Sequence, residues 1–366
     1  MKSKNMQNNN TCCLFNYASH YRLPIYKKID EELNADFYFG TIPGCTIKKF
    51  NYQDLHNFKK EFKTLKFKNC YWYIGSLKLL FKPYENYILT GDPLILSNWI
   101  ILVWAKISGK KTYFWTHGWY GRETTIKKLI KKCYFGLATE IFLYGEYAKE
   151  LMIKEGFDEN KLHTIYNSLD YEKQILVRDS LKSSDIYRDH FKNNHPVIIY
   201  IGRIQRSKKI ELAIEAMLLL QQQNLYVNFV ILGESKDYDF KNEIERYGLK
   251  DFIWLVGACY DEEQIGNYIF NANICVSPGN VGLTAIHSLM YGTPVITHNN
   301  FPNQGPEFET IIEEKTGMFF KENNIEDLAD KISYLINNPV QREDCYKVID
   351  EKWNVNNQVR ILENIL

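Results

Sequence analysis

From residue 196 onward, runs of consecutive apolar residues alternate with segments whose apolar residues recur at helical spacing. The runs cover 197–201, 227–232, 252–256, 273–276 and 294–298, and each is predicted to be a strand. Between the first two, Ile210, Ala213, Ile214, Met217 and Leu218 fall at i, i+3, i+4, i+7 and i+8, on one face of an amphipathic helix. Strands that are apolar throughout, rather than alternately, belong in a parallel sheet covered by helices on both faces. The pattern predicts a Rossmann-like domain over 196–340.

The first half repeats the theme less cleanly. Strands are predicted at 12–17, 36–39, 87–89, 111–115 and 140–144, with helices at 25–33, 96–107 and 126–135. This makes 1–180 an N-terminal Rossmann-like domain. Residues 170–195 are rich in Asp, Lys, Ser and Asn and read as a linker with room for a helix within it, while 341–366 read as a helical segment packing back on the first domain. The expected class is α/β, two Rossmann-like domains facing each other across a cleft at the carboxyl ends of both sheets, where ligands of such sheets bind.

Composition sharpens this. A chain of 366 residues with 45% hydrophobic and 15% aromatic residues is folded and long enough for two domains. A net charge of +1 argues against a nucleic-acid partner held by bulk charge. That mean hides a split: residues 1–195 hold 30 Lys/Arg against 20 Asp/Glu, and the rest holds 15 against 24. The eight cysteines include no Cys-x-x-Cys pair, and Cys12, Cys13 and Cys275 lie in apolar runs, so free thiols in a reducing cytoplasm are expected. Residues 1–10 are polar and Asn-rich, unlike a signal peptide. The apolar stretch 93–107 is shorter than the roughly 18–20 residues a membrane span needs and reads as a buried helix.

Candidate chemistry gathers at strand ends. The first strand of the second domain runs into Gly202-Arg203-Ile204-Gln205-Arg206-Ser207-Lys208, where glycine permits a tight turn and Arg203 and Lys208 converge beside a helix start. Two such cations suit a diphosphate. Ser277-Pro278-Gly279-Asn280-Val281-Gly282-Leu283 follows the fourth strand and opens the next helix, whose free amides are expected to meet the same anion.

Together these residues resemble the nucleotide-sugar domain of glycosyltransferase family 4, retaining enzymes of the GT-B fold. The likeness runs over 197–309 and rests on Gly202-Arg203 with Lys208, Leu232-Gly233-Glu234, Ser277-Pro278, Gly282-Leu283 and Gly292-Thr293-Pro294-Val295-Ile296. It implies that Arg203 and Lys208 hold the donor diphosphate, in a donor site that also includes Gly233, Glu234, Asn280 and Val281. The family carries two glutamates separated by seven residues, and the aligned positions here are Gly279 and His287. His287 then stands where the family binds the donor ribose, or is an ordinary helix residue. Glu307 and Glu309 lie in a loop that the resemblance puts near the donor, and either is a substitute for the missing glutamates.

In the first domain, Thr116-His117-Gly118-Trp119-Tyr120 follows a strand and precedes a helix. The resemblance implies that His117 lies at the donor sugar, making it the main candidate for a catalytic-site residue with Arg203 and Lys208. Trp119 and Tyr120 either stack on a sugar face or pack at the domain edge. His20, Arg22 and Asp92 sit in strand-end loops and are further acceptor candidates.

The implied reaction transfers a sugar from a UDP- or GDP-sugar to a glycan or lipid-linked glycan, with front-face attack and no metal or other cofactor. Asp237-Tyr238-Asp239 mimics the motif of metal-dependent transferases but reads as a solvated turn. Lys127, Lys128, Lys131 and Lys132 flank an apolar stripe of Ile126, Leu129, Ile130, Cys133 and Tyr134, which suits either a helix on the inner face of an anionic membrane or a domain helix with a solvated basic face. Two other functions fit the same fold: a nucleotide-sugar epimerase, and a GT-B module that binds a nucleotide sugar or a partner without turnover.

Overall fold

The computed structural model describes residues 10–234 and 241–366, with backbone alone at 241–243. Asp237-Tyr238-Asp239 lie outside the described residues. The chain divides into two compact units, unit 1 of residues 1–169 and 355–366 and unit 2 of 170–354.

Unit 1 is built on β1 (Thr11–Phe15), α1 (Leu23–Glu32), β2 (Asp36–Phe39), β3 (Phe58–Glu61), a hairpin of β4 (Thr64–Phe67) and β5 (Cys70–Tyr73), β6 (Asn86–Thr90), α2 (Leu96–Ile107), β7 (Lys111–Thr116), α3 (Thr125–Phe135), β8 (Glu140–Leu143), α4 (Glu146–Lys154) and β9 (Leu162–Thr164). Its seven-stranded sheet has the order β3-β2-β1-β6-β7-β8-β9, and every pairing is parallel. β1 and β2 are buried throughout, as continuous apolar runs require when helices cover both faces.

Unit 2 begins with α5 (Tyr171–Ser180) and α6 (Ile186–Phe191), so the polar stretch read as a linker is two helices of this unit. Its sheet and helices are β10 (Val197–Ile201), α7 (Glu211–Gln222), β11 (Asn228–Leu232), α8 (Lys241–Arg246), β12 (Ile253–Gly257), α9 (Glu262–Asn271), β13 (Ile274–Val276), α10 (Thr284–Met290), β14 (Val295–His298), β15 (Gly317–Phe320), α11 (Ile325–Asn337) and α12 (Arg342–Glu351). The strand order is β12-β11-β10-β13-β14-β15, again all parallel. Counted within the unit this is 3-2-1-4-5-6, the Rossmann order. Ile210, Ala213, Ile214 and Met217 are fully buried against β10 and β11, as their spacing predicts. The last helix, α13 (Val355–Ile365), returns to unit 1 and packs on α1, with Gln358 donating to the Tyr166 carbonyl at 2.9 Å.

Both sheets reverse strand order at one point, between β1 and β6 in unit 1 and between β10 and β13 in unit 2. Crossovers leave these points in opposite directions, which opens a crevice at the carboxyl ends of the strands. No helix among the described residues is long and apolar enough to cross a membrane. The stretch 93–107 is only partly a buried helix: Leu96, Ile100, Val103 and Ile107 form one exposed stripe along α2, with Ile107 82% exposed. All eight cysteines are free thiols, and Cys12, Cys13 and Cys275 are buried.

Candidate functional site

The switch point of unit 2 brings together the two loops singled out in the sequence. At the end of β10, Gly202 adopts φ 137°, and a Cβ on Gly233 would lie 1.9 Å from the Gly202 carbonyl oxygen, so the adjoining strand ends can meet only through glycine. The Tyr200 hydroxyl donates to the Arg203 carbonyl at 2.9 Å, and Ile204 N–H donates to the Glu234 carbonyl at 3.0 Å. Arg203 is thereby held at the strand end with its side chain exposed.

Lys208 reaches across to the second loop. Its ammonium donates to the Asn280 carbonyl, and Gly279 N–H donates back to the Lys208 carbonyl at 2.9 Å. Burial pushes the Lys208 ammonium down to about 8 against the attraction of Glu307, and neighbouring Arg203 adds a smaller repulsion. Arg203 and Lys208 therefore lie close enough to repel, which is the arrangement that an anion with several oxygens relieves.

Gly279 explains one departure from the family pattern. A Cβ there would stand 2.3 Å from the Ser207 carbonyl oxygen and 2.7 Å from Lys208 Cα, both backbone atoms. Nothing larger than glycine fits while Lys208 keeps its place. The second loop is also less open than expected: Val281 N–H is taken by the Gln304 side chain at 2.9 Å, and Asn280 Nδ2 donates to the Asn303 carbonyl at 3.1 Å. Gly282 adopts φ 52°, and beyond Leu283 the Thr284 hydroxyl ties the start of α10 to the Ile201 carbonyl at 2.8 Å. Glu307 is buried and Glu309 half-buried in the turn Pro306–Thr310.

His287 is not an isolated imidazole. Its Nε2–H donates to Glu262 Oε1 at 2.8 Å, and the same oxygen accepts from the Tyr291 hydroxyl at 2.6 Å and from Gln174 Nε2 at 2.9 Å. Burial alone would raise the Glu262 carboxyl, but these donors outweigh it and hold it at about 2. Whatever binds beside His287 meets a His–Glu pair. Sequence reasoning missed Glu262, which lies 25 residues away on another helix.

At the switch point of unit 1 is a pocket of about 430 Å³. The loop after β1 supplies Asn16, Tyr17, Ser19, Tyr21 and Arg22, the end of β6 supplies Thr90, Gly91 and Asp92, and the end of β7 supplies His117, Gly118 and Tyr120, with Tyr144 beyond β8. His117 packs against Tyr144, ring centroids 4.7 Å apart, and Tyr120, 5.8 Å. The protein atoms crowding its recess push the imidazole down to about 4, with Arg22 and Lys131 adding repulsion. The ring remains open to the pocket, and it is neutral at neutral pH. Burial raises the Asp92 carboxyl against the opposing pull of the Leu94 N–H and Lys131.

Three expectations for this unit need correction. Trp119 is only 2% exposed and packs against Phe157 in the core, so it has no face to offer a sugar; Tyr120 does line the pocket. His20 is absent from the lining and lies exposed, its Nδ1–H donating to the Lys48 carbonyl at 3.1 Å. Lys131 is no part of a solvated basic face: it donates to the Gly118 carbonyl at 2.8 Å and to Glu123 at 2.6 Å, and lines the pocket. Its placement was readable, since Tyr134 and Phe135, three and four residues on, share its helix face and are buried.

Residues 184–351 match the family model described as "Glycosyl transferases group 1". Over 223 residues the chain is 26% identical to the capsular polysaccharide biosynthesis glycosyltransferase CapM of Staphylococcus aureus, covering 59% of this chain and 57% of that protein. Over 180 residues it is 27% identical to the poly(ribitol-phosphate) alpha-N-acetylglucosaminyltransferase of Staphylococcus aureus (strain COL), covering 48% of this chain and 35% of that one. The aligned part of the chain thus spans little more than half the length of the first relative and about a third of the second. The crystal structure of Anabaena HepE in complex with UDP matches with a TM-score of 0.74 at 14% identity, over 97% of this chain and 99% of that one, a likeness of fold. Residues 184–351 are thus similar to group 1 glycosyl transferases, and the two Rossmann-like units share the fold of HepE.

Proposed function

We propose that the chain is a retaining glycosyltransferase of family 4, with Gly279 and His287 at the usual glutamate positions, that moves a sugar from a UDP- or GDP-sugar to a glycan or lipid-linked glycan in polysaccharide biosynthesis at the cytoplasmic face of a membrane. The observation that carries this reading is the pairing of Arg203 with Lys208 at the switch point of unit 2, where the two loops lock Lys208 in place. Names of the relatives, and the UDP in the HepE crystal, support the substrate class.

In this mechanism the two cations neutralise the diphosphate as the glycosidic bond breaks, a role that calls for no metal and no reorganisation. The acceptor hydroxyl attacks the same face, and the leaving phosphate oxygen takes its proton. Neutral His117 accepts or donates a hydrogen bond at the sugar. Glu307 or Glu309 contacts ribose or sugar hydroxyls. The purified protein is expected to show thermal stabilisation by one class of nucleotide sugar and slow release of UDP or GDP, with the product keeping the donor's anomeric configuration. Inversion at the anomeric carbon would defeat the retaining assignment.

The absence of both family glutamates favours a second reading, a module that binds a nucleotide sugar without turnover. Stabilisation with no nucleotide release in the presence of candidate acceptors would support it.

The membrane contact is assigned to apolar residues more than to lysines. Lys128 and Lys132 both engage Glu155, and Lys131 faces the pocket. By contrast Ile126, Leu129 and Ile130 on α3 and Leu96, Ile100, Val103 and Ile107 on α2 are all exposed, and the two helices adjoin through Trp99 and Tyr134, 4.9 Å apart. With Lys106 and Lys127 on these same helices, in a half of the chain rich in cations, this doublet suits an anionic bilayer surface. The protein is expected to sediment with phosphatidylglycerol-containing vesicles at low salt. Ile100→Glu with Leu129→Glu should abolish this, whereas Lys127→Glu should only weaken it. Sedimentation unchanged in the double variant would defeat the assignment.

A further inference from the structure

The unit 1 pocket holds a cation that the proposed reaction does not use. Lys131 is neutralised by Glu123, and Asp92 lies within the field of Lys131. Arg22 has no such counterpart. Its guanidinium lies over the Tyr144 ring, 5.1 Å from the centroid, and bonds the Tyr144 hydroxyl, with Tyr26 and Tyr21 as its other polar surroundings. No Asp or Glu among the described residues forms an ion pair with it. A half-buried guanidinium that faces a cavity with no carboxylate paired to it is a cation kept for a ligand: its fork of N–H donors is matched by an oxyanion, and an unpaired buried charge is costly unless something fills it.

We infer that the acceptor bound in this pocket carries an anionic group, a phosphate or a carboxylate, and that Arg22 receives it. The inference rests on reading the pocket as the acceptor site and adds the chemical class of the acceptor. Tyr17, Tyr21, Tyr120 and Tyr144 give the pocket aromatic walls suited to a sugar ring next to the anion. His117 sits close enough to Arg22 for the guanidinium to depress its imidazole. Neutralising Arg22 with an anion therefore raises the His117 pKa, linking acceptor occupancy to the protonation of the candidate catalytic imidazole.

The test uses the full chain, with glucose 1-phosphate, glucuronate and glucose as probes, read by thermal shift and by NMR titration of the His117 ring. An Arg203→Ala/Lys208→Ala background removes anion binding at the donor site. The expected result is stabilisation by one or both anionic sugars but not by glucose, in wild type and in that background, with a raised His117 pKa on binding. A phosphate acceptor favours the first probe and a uronic acid the second. Arg22→Gln should weaken the anion about 10- to 100-fold, as loss of charge-assisted hydrogen bonds does. It should also raise the His117 pKa without any ligand, an effect that a merely structural role does not produce. Arg22→Lys, which keeps the charge and is less disruptive to the fold, should retain part of the affinity. The inference is overturned if neither anion binds wild type, if glucose binds as well as the anions, if Arg22→Gln binds normally, or if the donor-site background abolishes binding. Separate titration of wild type with UDP shows whether the donor reading stands when this one falls.

Discussion

Lys208→Ala is expected to lower turnover by about 100- to 1,000-fold, the loss typical of removing one preorganised group that stabilises developing negative charge. The pH dependence separates this from a general loss of structure. Because burial, against the pull of Glu307, holds the ammonium at about 8 in the free protein, it is charged at neutral pH and loses its proton as pH rises through 8. The protonated form is the one that binds a diphosphate, so kcat/KM should fall on the alkaline side of pH 8 in wild type. A bound diphosphate stabilises the charged form, so kcat itself should fall only at higher pH. In Lys208→Ala the alkaline limb should vanish with the activity, and isothermal titration with UDP should show the affinity lost as well. A variant that retained both wild-type turnover and the limb near pH 8 would remove Lys208 from the site.

Gly279→Glu should be as damaging, although it restores the residue that the resemblance leads one to expect. The obstruction begins at Cβ, 2.3 Å from one backbone atom and 2.7 Å from another, so neither neighbour can rotate away. The loop has to shift, breaking the hydrogen bond from Gly279 N–H to the Lys208 carbonyl and carrying the ammonium off the Asn280 carbonyl. Overpacking of this kind costs about 1–3 kcal/mol, a melting temperature lower by several degrees. Gly279→Ala should match Gly279→Glu in both lost UDP affinity and lowered melting temperature, because the clash and not the carboxylate is responsible. If the alanine variant bound UDP normally while the glutamate variant did not, charge would be the cause and the steric account would fail.

The parts legible in the sequence share a physical basis. A strand buried on both faces must be apolar along its length, and this exposed β10, β11 and β14 within a residue or so of their ends. The crossing of cations with glycine at the end of β10 was legible because chain order puts the loop at the sheet edge. What escaped was decided by contacts distant in sequence. Glu262 draws in His287 and Tyr291 from α10 and its end and Gln174 from α5, and nothing local marks it. Trp119 looks like a sugar platform beside His117, yet neighbouring side chains turn it inward. α5 and α6 are polar because their outer faces are wet; the few buried contacts, such as Gln174, Val177 and Tyr187, are too sparse to set a period.

The discontinuity of unit 1 orders the events of synthesis. Residues 10–169 emerge before unit 2, but the surface of α1 that α13 covers stays bare until that eleven-residue helix is made. Unit 2, complete at residue 354, has all its own chain before unit 1 does. During translation unit 2 thus has its whole chain before unit 1 does, and a frameshift or nonsense codon near residue 355 strikes unit 1, whose other residues all precede 170.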